Sequence, residues 1–333
     1  MGENILTVKD LKTYFFTASG ITKAVDGVSF NITKGDSMGI VGESGSGKSV
    51  TSNSIIRLLP PKTGKIIGGS IEFEGRDILT LNKKELVDFR GRDIAVIFQD
   101  PMTSLDPVFK IGKQMVEMII AHQNVTKDEA WEMAIEALNK VGIPEPEKRM
   151  NSYPYELSGG MCQRVIIAMA VCCKPKLIIA DEPTTALDVT VQAQVLELLK
   201  GLQKDMDTAI LLITHNLGVV WEMCNKVMVM YAGNTVEFAD TKTLYSNPKH
   251  PYTWGLLDSM PKLTDESKGE LKTIPGTPPD LRLTGKCCNF YNRCPYVTEA
   301  CTNSVPPLVE IEPGHLVACH RQTVEKRLEK REG

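Results

Sequence analysis

The chain has 333 residues, of which 42% are hydrophobic and 24% are charged, a balance typical of a globular protein with one large and one small domain, or two of medium size. Its formal net charge of −3 gives no reason to expect nucleic-acid binding, which usually shows as a basic domain. No apolar run approaches the roughly 18–20 residues that span a bilayer, and the N-terminus lacks a secretory signal, so we expect a cytosolic chain that can still dock on a membrane partner.

The first quarter of the chain has the patterns of β-strands. Residues 4–16 alternate apolar and polar side chains, which predicts an edge strand, and residues 25–32 and 69–73 show a similar pattern. Residues 37–41 form a short apolar strand that leads through a glycine-rich loop into a helix predicted over about 48–59. We therefore expect an antiparallel β region, followed by a strand that positions the loop.

The glycine-rich loop matches the pattern G-x-x-x-x-G-K-[ST]. Its residues are Gly42, Glu43, Ser44, Gly45, Ser46, Gly47, Lys48 and Ser49. Backbone amides of such a loop cradle phosphates, the Lys48 ammonium reaches the β- and γ-phosphates, and the Ser49 hydroxyl binds Mg²⁺. Because a strand precedes the pattern and a helix follows it, we interpret the loop as a phosphate-binding loop and not as an ordinary glycine turn.

The next predicted elements are a short strand and a long helical region. The apolar run 94–98 ends in Gln99, whose neutral amide suits Mg²⁺ and an attacking water. Residues 109–140 have apolar side chains at helical spacing, which predicts an amphipathic helical region.

The stretch 157–164 then reads LSGGMCQR, with its serine and glycines at the start of a predicted helix. The unpaired amides and the positive dipole end of a helix face an anion there.

Two continuous apolar runs, 177–180 and 210–213, predict buried parallel strands with a helix between them. The first run ends in Asp181 and Glu182, at the edge where open α/β sheets carry their chemistry. The Asp181 carboxylate suits a Mg²⁺ shell, and the Glu182 carboxylate can polarise an attacking water. The second run precedes His215, whose imidazole can reach a γ-phosphate from the neighbouring strand.

The composition changes after about Met260. Residues 261–286 contain four prolines and few large apolar side chains, which predicts a linker or an extended segment. Residues 325–332 are a mixed-charge run, which we interpret as a solvated terminal helix. Four cysteines earlier in the chain are expected to be inert core thiols; these are Cys162, Cys172, Cys173 and Cys224.

The other five of the nine cysteines crowd into the last 47 residues, which in a reducing cytosol favours a metal site over disulfides. Four thiolates from a short, loop-rich segment can hold Zn²⁺ or an iron–sulfur cluster. The gaps of five, six and seventeen residues are wider than zinc pairs usually show. Cys287 competes with its neighbour as a ligand, although the spacing favours the latter. The predicted ligands are Cys288, Cys294, Cys301 and Cys319.

Together, these motifs resemble those of the ABC ATPases over roughly residues 4–260. The matching positions are the loop 42–49, Gln99, the signature residues Ser158, Gly159 and Gly160, the pair Asp181 and Glu182, Asp188 and His215. The resemblance implies a P-loop α/β core with an N-terminal antiparallel β subdomain, a helical subdomain at about 105–165, and a cysteine-rich extension at 261–333. It also implies that the signature grips a γ-phosphate held by the other subunit, while Asp188 links the two active sites.

The resemblance further implies that ATP with Mg²⁺ is the ligand, with Mg²⁺ held by Ser49, Gln99 and Asp181. An aromatic ring near the end of the first strand should stack on adenine, and the register favours Phe15 over Tyr14. No Asn-Lys-x-Asp guanine motif occurs in the sequence, which also favours ATP.

Several phrases are similar to the ATPase subunits of dipeptide and oligopeptide importers: residues 99–107, 181–192, 250–256 and the cysteine-rich tail. This resemblance implies an ATP-hydrolysing motor subunit at the cytoplasmic face of the membrane, with a 4Fe–4S cluster ahead of zinc. The implied partners are a homologous second ATPase (or a second copy) in a head-to-tail dimer, two permeases docking near Gln99, and an external binding protein. Nickel, glutathione or sugar oligomers are alternative cargoes, and a soluble ABC regulator or assembly factor is the rival class.

Overall fold

The structure is a computed structural model that describes residues 3–185, 187–260, 273–323 and 328. Its strands are β1 (Asn4–Thr17), β2 (Gly20–Thr33), β3 (Ser37–Val41), β4 (Gly64–Phe73), β5 (Arg76–Asp77), β6 (Ile94–Ile97), β7 (Leu177–Asp181), β8 (Ala209–Thr214), β9 (Lys226–Tyr231), β10 (Asn234–Asp240), β11 (Val309–Glu312) and β12 (His315–Val317). Its α-helices are α1 (Lys48–Ile55), α2 (Lys83–Asp88), α3 (Pro101–Ser104), α4 (Ile111–His122), α5 (Lys127–Lys140), α6 (Pro146–Arg149), α7 (Gly159–Cys172), α8 (Val189–Met206), α9 (Leu217–Met223), α10 (Thr241–Ser246), α11 (Pro251–Asp258), α12 (Glu299–Asn303) and α13 (His320–Thr323).

The chain forms two compact units that interleave along the sequence. The first consists of Met1–Ile5, Thr33–Asp36 and Thr80–Leu212, and the second of Leu6–Ile32, Ser37–Leu79 and Ile213–Gly333. The first therefore carries the middle of the chain. The second combines the phosphate-binding loop with the C-terminal extension.

An antiparallel sheet at the start of the chain has the order β2-β1-β4-β5, as an N-terminal antiparallel subdomain requires. The prediction that residues 4–16 form an edge strand is wrong in one respect, because β1 lies between β2 and β4. Alternation of apolar and polar residues indicates only that one face of a strand is buried. In an antiparallel sheet with one buried face, an inner strand shows the same alternation as an edge strand. The strands predicted over 25–32 and 69–73 are confirmed, with earlier starts.

In the second unit, the buried strand β3 pairs in parallel with β9, and β9 pairs in antiparallel with β10. The extension contributes β11 and β12 to the same unit, and β12 pairs with β10 through Glu237 opposite Val317. The helix α1 after the loop ends at Ile55, before the predicted end near residue 59. Arg57 has a left-handed φ of 54°, and prolines follow at positions 60 and 61, which stops the helix.

The first unit contains the parallel pair β6 and β7, with β8 on the other side of β7. Both predicted apolar runs are buried strands, as expected. The helical region predicted over 109–140 is interrupted, since α4 ends at His122 and α5 begins after Thr126. The Thr126 hydroxyl accepts from the Glu129 amide, and the Glu129 carboxylate accepts from the Thr126 amide. This reciprocal cap starts a new helix.

The segment 273–286 has no helix or strand, yet it packs along the β1–β2 hairpin of the second unit. The Lys23 amide donates to the Leu281 carbonyl at 3.3 Å, and the Lys23 ammonium donates to the Thr284 carbonyl at 3.3 Å. The Arg282 guanidinium donates to the Ser19 carbonyl at 3.2 Å. This part is thus an extended, packed segment and not a free linker. Residues 261–272, and the predicted helix over 325–332 apart from Leu328, lie outside the described residues.

The four cysteines predicted to be core thiols differ in burial. Cys162 and Cys224 are buried, whereas Cys172 and Cys173 are half-buried with their sulfurs 4.0 Å apart. The core prediction is therefore correct for two of the four. Every helix among the described residues is too short or too polar to cross a bilayer.

Candidate functional site

The predicted phosphate-binding loop lies between β3 and α1, and two of its glycines are sterically required. Gly42 has a φ of +153°, and a Cβ there would lie 2.2 Å from the Met230 carbonyl oxygen. Gly47 has a φ of +103°, and its Cβ would lie 2.3 Å from the Ala24 carbonyl oxygen. Contacts this close exclude any side chain, so the loop takes its shape only with glycine at both positions.

Polar groups of the loop face inward. The buried Lys48 ammonium donates to the carbonyls of Gly42 at 2.7 Å and Glu43 at 3.0 Å. The Ser46 hydroxyl is buried and has no hydrogen-bond partner among the described residues. Since buried polar atoms are nearly always hydrogen-bonded, a hydroxyl in this position fits an anionic ligand held by the loop. The arrangement can bind phosphate through an ammonium, a hydroxyl and backbone amides.

In the first unit, the structure brings together two residues that were predicted from separate motifs. The Gln99 side-chain amide donates to the Glu182 carboxylate at 3.0 Å. The Thr185 hydroxyl donates to the same carboxylate oxygen at 2.9 Å. Glu182 directly follows the last residue of β7, Asp181, and has a left-handed φ of 48°, a strained conformation that surrounding contacts must hold. Thr185 was not among the predicted residues. Its position three residues after Glu182 is the sequence feature that could have indicated this contact.

The signature residues stand at the start of α7. Ser158 caps this helix, and its hydroxyl accepts from the Met161 amide at 3.3 Å. Ser158 and Gly159 are exposed, so the start of α7 is accessible to solvent. The buried Cys162 thiol donates to the Pro154 carbonyl at 3.4 Å, and burial raises the pKa of this thiol. This cysteine therefore joins the first turn of α7 to the preceding turn.

Gly160 and Asp188 lie where α7 meets α8. A Cβ on Gly160 would lie 2.8 Å from a methyl carbon of Val191, so glycine permits the close approach of the two helices. The Asp188 carboxylate caps α8 by accepting from the amides of Thr190 and Val191, both at 3.0 Å. The role of Asp188 in linking two active sites stays a prediction.

His215 follows β8 and is exposed. The next residue, Asn216, caps α9, since its side chain accepts from the Gly218 amide at 2.9 Å. The strand end and the helix cap together fix the backbone at His215. Its contact with a γ-phosphate stays a prediction.

The two aromatic candidates for adenine stacking point to different surroundings. The Tyr14 hydroxyl donates to the Asp26 carboxylate at 2.7 Å, and burial with this hydrogen bond raises the pKa of Tyr14. The half-buried Phe15 ring lies against Gly64 of the paired strand β4, where a Cβ would be 3.1 Å from the ring. The preference for Phe15 stays a prediction.

Sequence reasoning missed two residues that contact Glu43 of the loop. The Arg293 guanidinium binds the Glu43 carboxylate through both oxygens, at 2.6 and 2.9 Å. The Tyr252 hydroxyl accepts from the Glu43 amide at 2.8 Å. The salt bridge with Glu43 raises the pKa of Arg293 above its ordinary value. Arg293 lies 250 residues from its partner, so no local pattern could reveal the pair.

The four predicted ligand cysteines line one small cavity in the extension; they are Cys288, Cys294, Cys301 and Cys319. Burial, followed by the neighbouring thiols, raises the pKa of Cys288 to about 12 and of Cys294 to about 11. Cys287 is not among the described residues that line this cavity. In the described part of the chain, no group of three or more His, Cys, Asp or Glu side chains is arranged to hold a metal ion, so the metal stays a prediction.

Comparison with protein families gives two matches. Residues 25–185 match the family described as ABC transporter, and residues 236–301 match the C-terminal region of oligopeptide/dipeptide transporters. The second match contains three of the four predicted cysteine ligands.

Similar proteins extend over nearly the whole chain. The probable peptide ABC transporter ATP-binding protein y4tR of Sinorhizobium fredii is 50% identical over 95% of this chain and 95% of its own length. The oligopeptide transport ATP-binding protein OppD of Bacillus subtilis is 51% identical over 94% of this chain and 87% of its own. OppD of Escherichia coli is 50% identical over 96% of this chain and 94% of its own length.

Solved structures support the same fold. The ATP-binding cassette MJ0796, in a dimeric post-hydrolysis state bound to ADP and Pi, is 27% identical and has a TM-score of 0.64. It covers 71% of this chain and 98% of its own. CbiO1 of Clostridium perfringens, part of an ABC transporter complex, is 28% identical with a TM-score of 0.62, over 74% of this chain and 92% of its own.

Proposed function

The chain belongs to the oligopeptide/dipeptide branch of ABC transporter ATP-binding proteins, and we propose that it is the ATP-hydrolysing motor subunit of a transporter that imports di- and oligopeptides. One observation carries the proposal. Nucleotide motifs and a tail that matches oligopeptide/dipeptide transporters stand on one chain, and relatives named for peptide transport share about half of its residues. The match to the tail separates this branch from ABC ATPases at large.

ATP binds through its phosphates to the loop 42–49. The inward Lys48 ammonium and the unpartnered Ser46 hydroxyl support this role. Ser49, Gln99 and Asp181 would hold Mg²⁺, since hydroxyl, amide and carboxylate oxygens are the ligands that Mg²⁺ prefers. The ion would neutralise charge on the β- and γ-phosphates.

Glu182, in the first unit, acts as the base that orients and polarises the attacking water. The hydrogen bonds from Gln99 and Thr185 support the role, because they hold the carboxylate in one direction. Phe15 stacks on adenine, and His215 contacts the γ-phosphate.

The exposed start of α7 completes the site of a partner subunit. Ser158, Gly159 and Gly160 offer backbone amides and a helix N-terminus to the γ-phosphate of the partner's nucleotide. ATP binding then closes a head-to-tail dimer with a homologous ATPase or a second copy, and hydrolysis reopens it, with Asp188 between the two sites. The dimeric state of the similar cassette MJ0796 supports this arrangement.

Two membrane permeases dock on the surface near Gln99 and the helical region after it, at the cytoplasmic face of the membrane. Four large apolar side chains are exposed there, which supports a protein contact; they are Phe98, Met102, Val108 and Phe109. An external substrate-binding protein delivers the cargo.

Reconstitution with permeases encoded by neighbouring genes tests the proposal. Proteoliposomes that contain the complex should accumulate a labelled tripeptide with ordinary α-peptide bonds in the presence of ATP. They should not accumulate Ni²⁺, glutathione or a sugar oligomer at the same concentration. Uptake of one of these instead would overturn the peptide assignment. Purification from native membranes without any permease would favour a soluble ABC regulator or assembly factor.

Cys288, Cys294, Cys301 and Cys319 would hold a 4Fe–4S cluster, with Zn²⁺ as the second choice. The shared cavity of Cys288, Cys294, Cys301 and Cys319 supports a four-thiolate ligand set, and it favours Cys288 over Cys287. A metal centre would staple a segment too short to bury much core of its own. Iron, sulfide and zinc analysis of anaerobically purified protein, with its visible absorbance, tests the assignment. A colourless sample that contains zinc and no iron would refute the cluster.

A further inference from the structure

The C-terminal extension reaches the phosphate-binding loop of its own chain through the buried Arg293 side chain. We propose that Arg293 is a positioning residue for the nucleotide site. It holds the Glu43 carboxylate away from the bound phosphates and neutralises its charge. This inference rests on the nucleotide site proposed above, and it assigns the extension a part in ATP binding.

The Arg293 guanidinium is fully engaged in the second unit. Besides its two bonds to Glu43, it donates through Nε to the Pro275 carbonyl at 2.9 Å and through a terminal nitrogen to the Ile274 carbonyl at 3.1 Å. Its side chain is only 4% exposed, and that of Glu43 is 27% exposed. A planar guanidinium in a bidentate pair fixes the direction of its partner as well as its charge. A surface ion pair with two mobile side chains would fix neither.

Glu43 passes this constraint to the rest of the loop. Its amide donates to the Tyr252 hydroxyl at 2.8 Å, and its carbonyl accepts from the Lys48 ammonium at 3.0 Å. The Ser46 amide also donates to the Glu43 carbonyl, at 3.2 Å. The side chain, amide and carbonyl of Glu43 are therefore all held. A rotation of this residue would displace the lysine that is expected to meet the phosphates.

The charge of Glu43 makes the pair more than a structural contact. A carboxylate in a loop that binds phosphate repels its ligand, and the repulsion is strongest where burial reduces solvent screening. The Arg293 guanidinium, 2.6 Å from the Glu43 carboxylate, opposes this field. Removal of the arginine would leave a negative charge beside the phosphates. Removal of both charges would not.

A second anchor places the extension against the same loop. The Asn289 side-chain amide donates to the Ala232 carbonyl at 3.2 Å and to the Asn234 side chain at 2.7 Å, in the turn between β9 and β10. In that turn, the Gly233 amide donates to the Ser46 carbonyl at 3.0 Å. The extension thus contacts the phosphate-binding loop directly through Arg293 and indirectly through this turn. Arg293 also precedes Cys294, so the loop anchor adjoins the cysteine cavity.

The test is a charge cycle, read out as the Kd of the full-length chain for Mg²⁺–ATPγS. Arg293→Gln should weaken binding about tenfold, which corresponds to about 1.4 kcal/mol. Glu43→Gln lacks the carboxylate that repels the phosphates, so its loss of affinity should be smaller than that of Arg293→Gln. The double variant should recover most of the loss, because no uncompensated charge remains. In ATPase assays of the complex, Arg293→Gln should raise KM and leave kcat at saturating ATP nearly unchanged.

Lys249→Gln is the matched control, because the Lys249 ammonium forms a partly exposed ion pair with Glu312 at 3.7 Å in the same unit. This variant should leave Kd unchanged. Wild-type affinity in Arg293→Gln, or a double variant as weak as the single one, would overturn the proposal. If Arg293→Gln does not fold, Arg293→Lys serves in its place, because it keeps the charge but loses the bidentate geometry. This variant should bind Mg²⁺–ATPγS severalfold more weakly than wild type, and wild-type affinity would overturn the proposal. A wild-type chain that binds no nucleotide would instead refute the proposed nucleotide site.

Discussion

Glu237 offers a strong test of how the extension is attached, because its buried carboxylate joins two strands. The residue is 0% exposed, and it accepts from the His315 Nε2 at 2.8 Å, the Lys249 amide at 2.7 Å and the His250 amide at 2.9 Å. Glu237 lies on β10 of the nucleotide-binding region, and His315 lies on β12 of the extension. Substitution Glu237→Gln keeps the shape but offers one acceptor oxygen in place of two.

The expected cost follows from this geometry. His315 and Lys249 donate to one carboxylate oxygen, and His250 donates to the other. In either orientation, the glutamine NH₂ group must therefore face at least one N–H donor. A hydrogen bond to a charged group contributes about 1.5–3 kcal/mol, and a buried donor left without an acceptor costs about 1–3 kcal/mol. We expect Glu237→Gln to lower the free energy of unfolding by about 3–5 kcal/mol.

Urea unfolding and hydrogen exchange measure this effect at two scales. Amide exchange should accelerate most in β12 and at Ala318, whose amide donates to the Val236 carbonyl at 2.8 Å. The control is Glu312→Gln, which removes an exposed ion pair with Lys249 and should change the free energy of unfolding by less than about 1 kcal/mol. A Glu237→Gln variant within about 1 kcal/mol of wild type, with unchanged exchange in β12, would refute the reasoning.

Three further predictions concern the nucleotide site. Glu182→Gln should abolish turnover and accumulate an ATP-bound dimer in size-exclusion chromatography with ATP, and full turnover would exclude Glu182 as the base. Gly47→Ala should abolish nucleotide binding, because its Cβ would lie 2.3 Å from a carbonyl oxygen. Gly45→Ala, with no atom within 4 Å of its Cβ, should still bind nucleotide detectably. Equal binding by both variants would contradict the steric argument. If the chain forms homodimers, mixing inactive Lys48→Ala and Ser158→Arg chains should restore part of the ATPase activity. Each mixed dimer keeps one intact site, made of Lys48 from one chain and Ser158 from the other. No recovery despite confirmed mixed dimers would argue against head-to-tail sites.

Motif spacing predicted the parts of the site whose information is local. The loop 42–49 has a fixed pattern because each glycine answers a backbone requirement within a few residues. The strands β3 and β7 were predicted because a short apolar run between turns has few other structures available. The break between α4 and α5 was missed, although Thr126 and Glu129 spell a capping box, since the apolar spacing continued across it.

The sequence by itself determined the class of chemistry: a phosphate-binding loop, an acidic strand end, a signature helix and a cysteine-rich tail. Only the tertiary structure decided which distant groups share one environment. It brought Gln99 to Glu182, and it brought Arg293 of the tail to Glu43. The physical reason is that motifs record backbone conformation and local donors, whereas a salt bridge across 250 residues depends on the complete packing of the unit. No periodicity or spacing in the chain encodes that distance.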